Sequence, residues 1–142
     1  MENKYEAGTF LLRVVLGLTF FVHGIVKFLG GIENIAGWFT SIGLPGFLAV
    51  VVAGVELVGG IALVLGLFSR VVSAVFILLM AGAIIKVKLA GGFLGNGTAG
   101  YELDLALLAM SASIAMTGSK LFALDQMFLK GRENTDSVSI NK

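Results

Sequence analysis

Four apolar runs, Thr9 to Leu29, Phe47 to Phe68, Val71 to Ala90 and Leu103 to Met116, occupy more than half of the 142 residues. A helix rising 1.5 Å per residue needs about 20 residues to cross a hydrocarbon layer roughly 30 Å thick. The first three runs reach that length, and the fourth reaches it when counted from Tyr101 to Phe122. Lipid offers no partner to an open backbone, and the alternating segments of a membrane barrel are absent, so the spans are expected to be helices. The expected fold is an all-α, four-helix transmembrane bundle occupying residues 1–129. A flexible polar tail over residues 130–142 is expected to follow it.

The remaining composition narrows the chemistry. Charged residues make up 13% of the chain, against about 25% in soluble domains. A net charge of +1 gives no basis for nucleic-acid binding, so membrane lipids are the expected surroundings. The chain has no cysteine, which excludes a CxxC relay, a thiolate-held iron–sulfur cluster and an internal disulfide. His23 is the sole histidine, so neither a zinc site nor a haem held by His23 with Met80 or Met110 is expected. The chain itself is expected to hold no cofactor. Lys4 precedes the first run as in a signal peptide, but Arg13 and His23 interrupt the run and no small-residue cleavage site follows.

Basic residues set the expected orientation. The termini and the Leu67–Ser69 link share one side, which carries Lys4, Arg70, Lys120, Lys130, Arg132 and Lys142. Lys27, Lys86 and Lys88 fall on the other. The positive-inside rule then places both termini in the cytoplasm of a multi-pass protein of the bacterial cell membrane. Arg70, at the link, is expected as a topology anchor. Between the first two spans, Ile32, Ile35, Trp38 and Ile42 recur at helical spacing before Leu44-Pro45-Gly46. That pattern suits a short interfacial helix with Trp38 in the outer aromatic belt, packed as a lid on the bundle mouth.

An internal repeat is visible. Arg13-Val14-Val15 opens the first span and Arg70-Val71-Val72 the third; a glycine and a lysine follow each arginine, Gly24 and Lys27 or Gly82 and Lys86. Ala53-Gly54-Val55-Glu56-Leu57 in the second span matches Ala99-Gly100-Tyr101-Glu102-Leu103 before the fourth. Two hairpins of one orientation are therefore expected, related by an axis along the membrane normal. Small-residue stripes such as Gly17 with Gly24, and Gly54 with Gly59 and Gly60, are expected to let helices approach within the bundle, with a homo-oligomer surface as the other use.

The intramembrane charges are the candidate site. Counted at 1.5 Å per residue from the outer helix ends, Lys27 lies roughly 3 Å deep, His23 roughly 9 Å and Glu56 roughly 13 Å. An ionised group near the midplane costs at least about 2.5 kcal/mol, so Glu56 should face the interior and find a partner. His23 is closest to it in depth. The expectation is a polar cavity open to the outer side, lined by His23 and Glu56, with Lys27, Lys86, Lys88 and Glu102 around its mouth. Glu56 clamped structurally to His23 or to Arg13 is the competing reading.

Taken together, Arg13-x3-Gly17, His23-Gly24-x2-Lys27, Glu56-x2-Gly59-Gly60, Gly66-x3-Arg70, the Gly100-Tyr101-Glu102 motif and Asp125 resemble the DoxX family of small four-helix bacterial membrane proteins. The resemblance runs from about Thr9 to Phe128 and implies association with redox or detoxification systems, including quinone-linked ones. Three functions follow as expectations. In the first, the chain is the membrane subunit of a quinone-linked oxidoreductase working with a redox protein partner. There His23 would bond a quinone carbonyl, Glu56 would supply a proton, and Lys27, Lys86, Glu102 and Trp38 would shape the binding region. In the second, it is a non-catalytic scaffold for a redox enzyme. In the third, it carries a weak acid or anion.

Overall fold

The structure is a computed structural model that describes residues 2–97 and 100–127, and every described regular element is helical. Helix α1 spans Glu2–Leu29, α2 Ile32–Ser41, α3 Phe47–Leu65, α4 Ser69–Ala83 and α5 Glu102–Thr117. The third apolar run continues past α4 through a π-helical turn, Ile84–Lys88, and a short 3-10 turn, Leu89–Gly91. Three helical stretches are long and apolar enough to cross a membrane: Lys4–Leu29, Phe47–Leu65 and Ser69–Gly91. The fourth run folds as α5, whose 16 residues reach only about 24 Å at 1.5 Å per residue. The expected tail over residues 130–142, and Ala99 of the repeat, lie outside the described residues.

Two antiparallel pairs build the molecule, α1 with α3 and α4 with α5, joined by contacts of α1 with α5 and α3 with α4. Glycine decides how close the first pair comes. A Cβ on Gly60 would lie 2.5 Å from the backbone nitrogen of Phe21, and one on Gly24 would lie 2.6 Å from that of Leu57. Only hydrogen at these positions lets the two backbones meet, as in small-residue packing between membrane helices. Gly24 against Ala53 and Leu57, and Gly60 against Gly17 and Phe21, fix the register. The Cα of Glu56 is thereby level with His23 and Gly24. Between the pairs, Phe20 and Phe76 stack with ring centroids 3.7 Å apart, among Leu16, Leu63, Met80, Leu107 and Ile114.

The link between α3 and α4 turns on two left-handed residues, Gly66 at φ 72° and Phe68 at φ 49°. Glycine takes this conformation freely; phenylalanine pays in strain. Asp125 offsets that strain, because its Oδ2 accepts a 2.7 Å hydrogen bond from the Phe68 N–H at the start of α4. Helix α2 forms where the isoleucine spacing predicts it and ends before Pro45. It buries no side chain fully and packs on α3 and α1.

Candidate functional site

Glu56 lies on the buried face of α3 with Ala49, Ala53, Gly60 and Leu63, and only 2% of it is exposed. Its partner is Lys27. The Lys27 Nζ donates to both carboxylate oxygens, an ion pair within the α1–α3 interface. Side chains on a helix lean toward its N-terminus. Since α1 and α3 are antiparallel, the Lys27 stem leans back along α1 while Glu56 leans toward the α2 end. The two meet across one turn of offset. Lys27 keeps 26% side-chain exposure, so its methylenes lie along the surface and its ammonium turns inward.

This corrects the expected pairing. His23 is level with Glu56 but is exposed, and the carboxylate is taken by the lysine. The face of α1 that meets α3 follows Thr9, Arg13, Leu16, Phe20 and Gly24. Lys27, three residues beyond Gly24, continues that face, whereas His23 stands about 100° away from Gly24 around the helix. Lys27, expected at the cavity mouth, turns its ammonium onto Glu56.

The second pair carries its own lysine–acid bridge. Lys88 Nζ donates to Asp104 Oδ2 at 2.6 Å, and Asp104 is 6% exposed in the first turn of α5. An acid in that turn also faces the positive end of the helix dipole. The expected Lys86 and Glu102 are both exposed and form no ion pair among the described residues. Asp104 shares the buried face of α5 with Leu107, Ser111 and Ile114; Glu102, two residues earlier, points away. The π-helical turn ends on Lys88 and brings it, instead of Lys86, to the α5 side. The repeat therefore holds in kind, a lysine of the leading helix on an acid of the returning one, but its second members are Lys88 and Asp104.

At the other end, Arg13 holds the segment after α5 and Arg70 the last turn of α5 itself. Arg13 is fully buried, donates to the Ser119 carbonyl and hydroxyl at 3.3 Å and to the Phe122 carbonyl at 3.1 Å, and lies 5.3 Å from the centroid of the Phe10 ring. Arg13 therefore has no part in clamping Glu56. Arg70 is exposed and donates from Nη2 to the Thr117 carbonyl at 3.2 Å, a cation on the last carbonyls of a helix. Trp38 is 45% exposed on α2, edge-on to Phe39. Among the described residues, no group of His, Cys, Asp and Glu could hold a metal ion.

Comparison with known proteins finds relatives over most of the chain. The Bacillus subtilis protein named "Putative oxidoreductase CatD" is 47% identical over 134 residues, covering 94% of this chain and 96% of that protein. An uncharacterised membrane protein of Mycobacterium tuberculosis is 34% identical over 130 residues, 84% of this chain and 80% of its own length. An uncharacterised Haemophilus influenzae protein is 37% identical over 122 residues, 84% of this chain and 89% of its own. No solved structure matches the chain. The DoxX family model matches residues 8–89, a stretch that takes in Arg13, Lys27, Glu56, Arg70 and Lys88. This chain belongs to the DoxX family.

Proposed function

We propose that the chain is the membrane subunit of a quinone-linked redox or detoxification system, and that Lys27 and Glu56 form its proton-handling pair. The observation that carries this reading is a carboxylate held 2% exposed inside the α1–α3 interface by an ammonium that still reaches the surface. A buried acid joined to a half-buried base can pass a proton between interior and surface, the task a quinone imposes. The oxidoreductase name of the Bacillus relative supports the redox class.

In this reading the quinone approaches the outer part of α1, its tail among the exposed Val22, Val26 and Leu29 and its ring near His23. A partner protein delivers two electrons, and the ring oxygens take two protons to give the quinol. Lys27 donates one proton and is recharged through water at its exposed flank. Glu56 stabilises the ammonium before transfer and keeps its position after it. The second carbonyl, hydrogen-bonded to the exposed His23 imidazole one turn before Lys27, takes its proton from water at the surface. Lys86 and Glu102, both exposed, and Trp38 on α2 border the approach, and α2 lies at the outer interface. Four spans, with both termini cytoplasmic, complete the arrangement.

A scaffold role for a redox enzyme is the second reading, favoured by one observation: both lysine–acid pairs are mutually satisfied, as structural clamps are. Purified full-length protein titrated with a soluble menaquinone or ubiquinone analogue separates the two. Saturable quenching of Trp38 fluorescence that weakens in His23→Ala and Lys27→Met supports the quinone site. Equal titration of all three proteins, or none, leaves the scaffold.

A further inference from the structure

We infer that the end of the bundle opposite the Lys27–Glu56 pair carries a binding site for a phosphate-type anion, at the start of α4. A cleft of about 310 Å³ lies there, between the first turn of α4 and the segment that follows α5. Its walls include Ser69, Arg70, Val71, Thr117, Lys120 and Asp125.

Four features make the cleft suited to an anion. The N–H groups of Ser69, Arg70 and Val71 open α4 and have no acceptor within the helix, so they and the helix dipole present positive charge to the cleft. The neighbouring donors are already engaged: Phe68 N–H bonds Asp125 and Val72 N–H bonds the Phe68 carbonyl. Arg70 uses Nη2 on the Thr117 carbonyl, which fixes the guanidinium across Gly118 and leaves Nε and Nη1 without a protein acceptor among the described residues. Ser69, 6% exposed, keeps a buried hydroxyl with no hydrogen-bond partner.

Charge balance points the same way. Arg70 and Lys120 are both exposed cations on the cleft; among the described residues its walls carry one carboxylate, Asp125, whose Oδ2 is committed to the Phe68 N–H, while Glu6, off the walls, accepts from the Lys120 backbone N–H. A tetrahedral phosphate monoester or diester, with several acceptor oxygens, matches a guanidinium fork, an ammonium, backbone donors and a hydroxyl better than a planar carboxylate does. Two sources supply that chemistry: free phosphate, and the headgroup of an anionic lipid.

The test uses the full chain in neutral detergent and in nanodiscs. Inorganic phosphate is titrated against thermal unfolding at constant ionic strength, with chloride as the control. Phosphatidylcholine nanodiscs with and without phosphatidylglycerol form the second arm. The expected result is stabilisation beyond chloride by one or both anions, through preferential binding to the folded form. Arg70→Gln should weaken the midpoint roughly tenfold, as loss of a charge-assisted fork does. Lys120→Gln and Ser69→Ala should weaken it less, and Lys86→Gln at the other end should leave it unchanged. If Arg70→Gln fails to fold, Arg70→Lys and Lys120→Gln carry the comparison. Stabilisation by phosphate identifies the free anion, and stabilisation by phosphatidylglycerol that phosphate does not displace identifies the lipid. No effect beyond chloride in either arm, or the same midpoint in every variant, overturns the site.

Discussion

Replacing Glu56 by Gln removes the partner of an ammonium without removing the ammonium. Breaking a buried pair in this one-sided way costs about 3–5 kcal/mol in a water-soluble core. Glu56 is 2% exposed, but the Lys27 side chain retains 26% exposure, so the freed ammonium can swing toward the interface and recover part of its hydration. The expected loss is therefore about 2.5 kcal/mol, the low end for an unpaired lysine at the centre of a spanning helix. Lys27→Met takes the ammonium away and leaves the buried Glu56 without its partner, so it should destabilise as well. The double variant, Lys27→Met with Glu56→Leu, leaves no charge in the interface and should be more stable than Glu56→Gln alone. Urea or thermal unfolding of the wild type, Lys27→Met, Glu56→Leu and their double variant in one detergent gives the coupling energy, expected at about 1 kcal/mol or more. Strict additivity of the single changes would refute the pairing.

Other predictions rest on independent parts of the fold. Gly60→Ala should destabilise by about 1–3 kcal/mol through overpacking, because its Cβ would lie 2.5 Å from the Phe21 nitrogen. Gly54→Ala, which meets nothing within 4 Å, should be neutral or slightly stabilising in the same unfolding assay. Arg13→Gln should loosen the turn at Ser119 and Phe122, read as faster amide exchange over residues 117–125 while exchange in α3 changes little. Because the natural chain has no cysteine, single cysteines report topology directly. Lys4→Cys should react with an impermeant maleimide only in opened cells, and Leu94→Cys should react in intact ones; the reverse pattern would invert the orientation.

The apolar runs made the helices legible, and the reason is length: little besides a span needs about 20 predominantly apolar residues in a row. Their ends were less legible. Helix α1 begins at Glu2 instead of Thr9, because a helix can leave the apolar layer and continue with polar residues. Helix α5 stops at Thr117, where Gly118 at φ 70° reverses the chain beneath Arg70. The charge pairs were readable in part. Depth along the axis put His23 level with Glu56 correctly, but a pairing also needs the angle around the helix. The Thr9, Arg13, Leu16, Phe20, Gly24 stripe already contained that angle and leads to Lys27.

On the second hairpin the same logic applied to Asp104, Leu107, Ser111 and Ile114 would have chosen Asp104 over Glu102. The choice of Lys88 over Lys86 was not readable. It depends on the π-helical turn at Ile84–Lys88, and an inserted residue of this kind has no reliable mark in sequence. The long-range grip of Arg13 on Ser119 and Phe122 was equally hidden, since it joins residues more than a hundred positions apart, first helix to last turn.

The most direct test of the quinone reading uses the charge-free interface itself. Membranes carrying Lys27→Met with Glu56→Leu, shown to contain the folded protein at wild-type level, are assayed for quinone-dependent turnover of the complex. Loss of turnover in a correctly folded, correctly inserted protein is the predicted result, because the pair supplies a proton and not merely a clamp. Wild-type turnover in that variant would contradict it and leave the two charges as packing elements of a membrane scaffold.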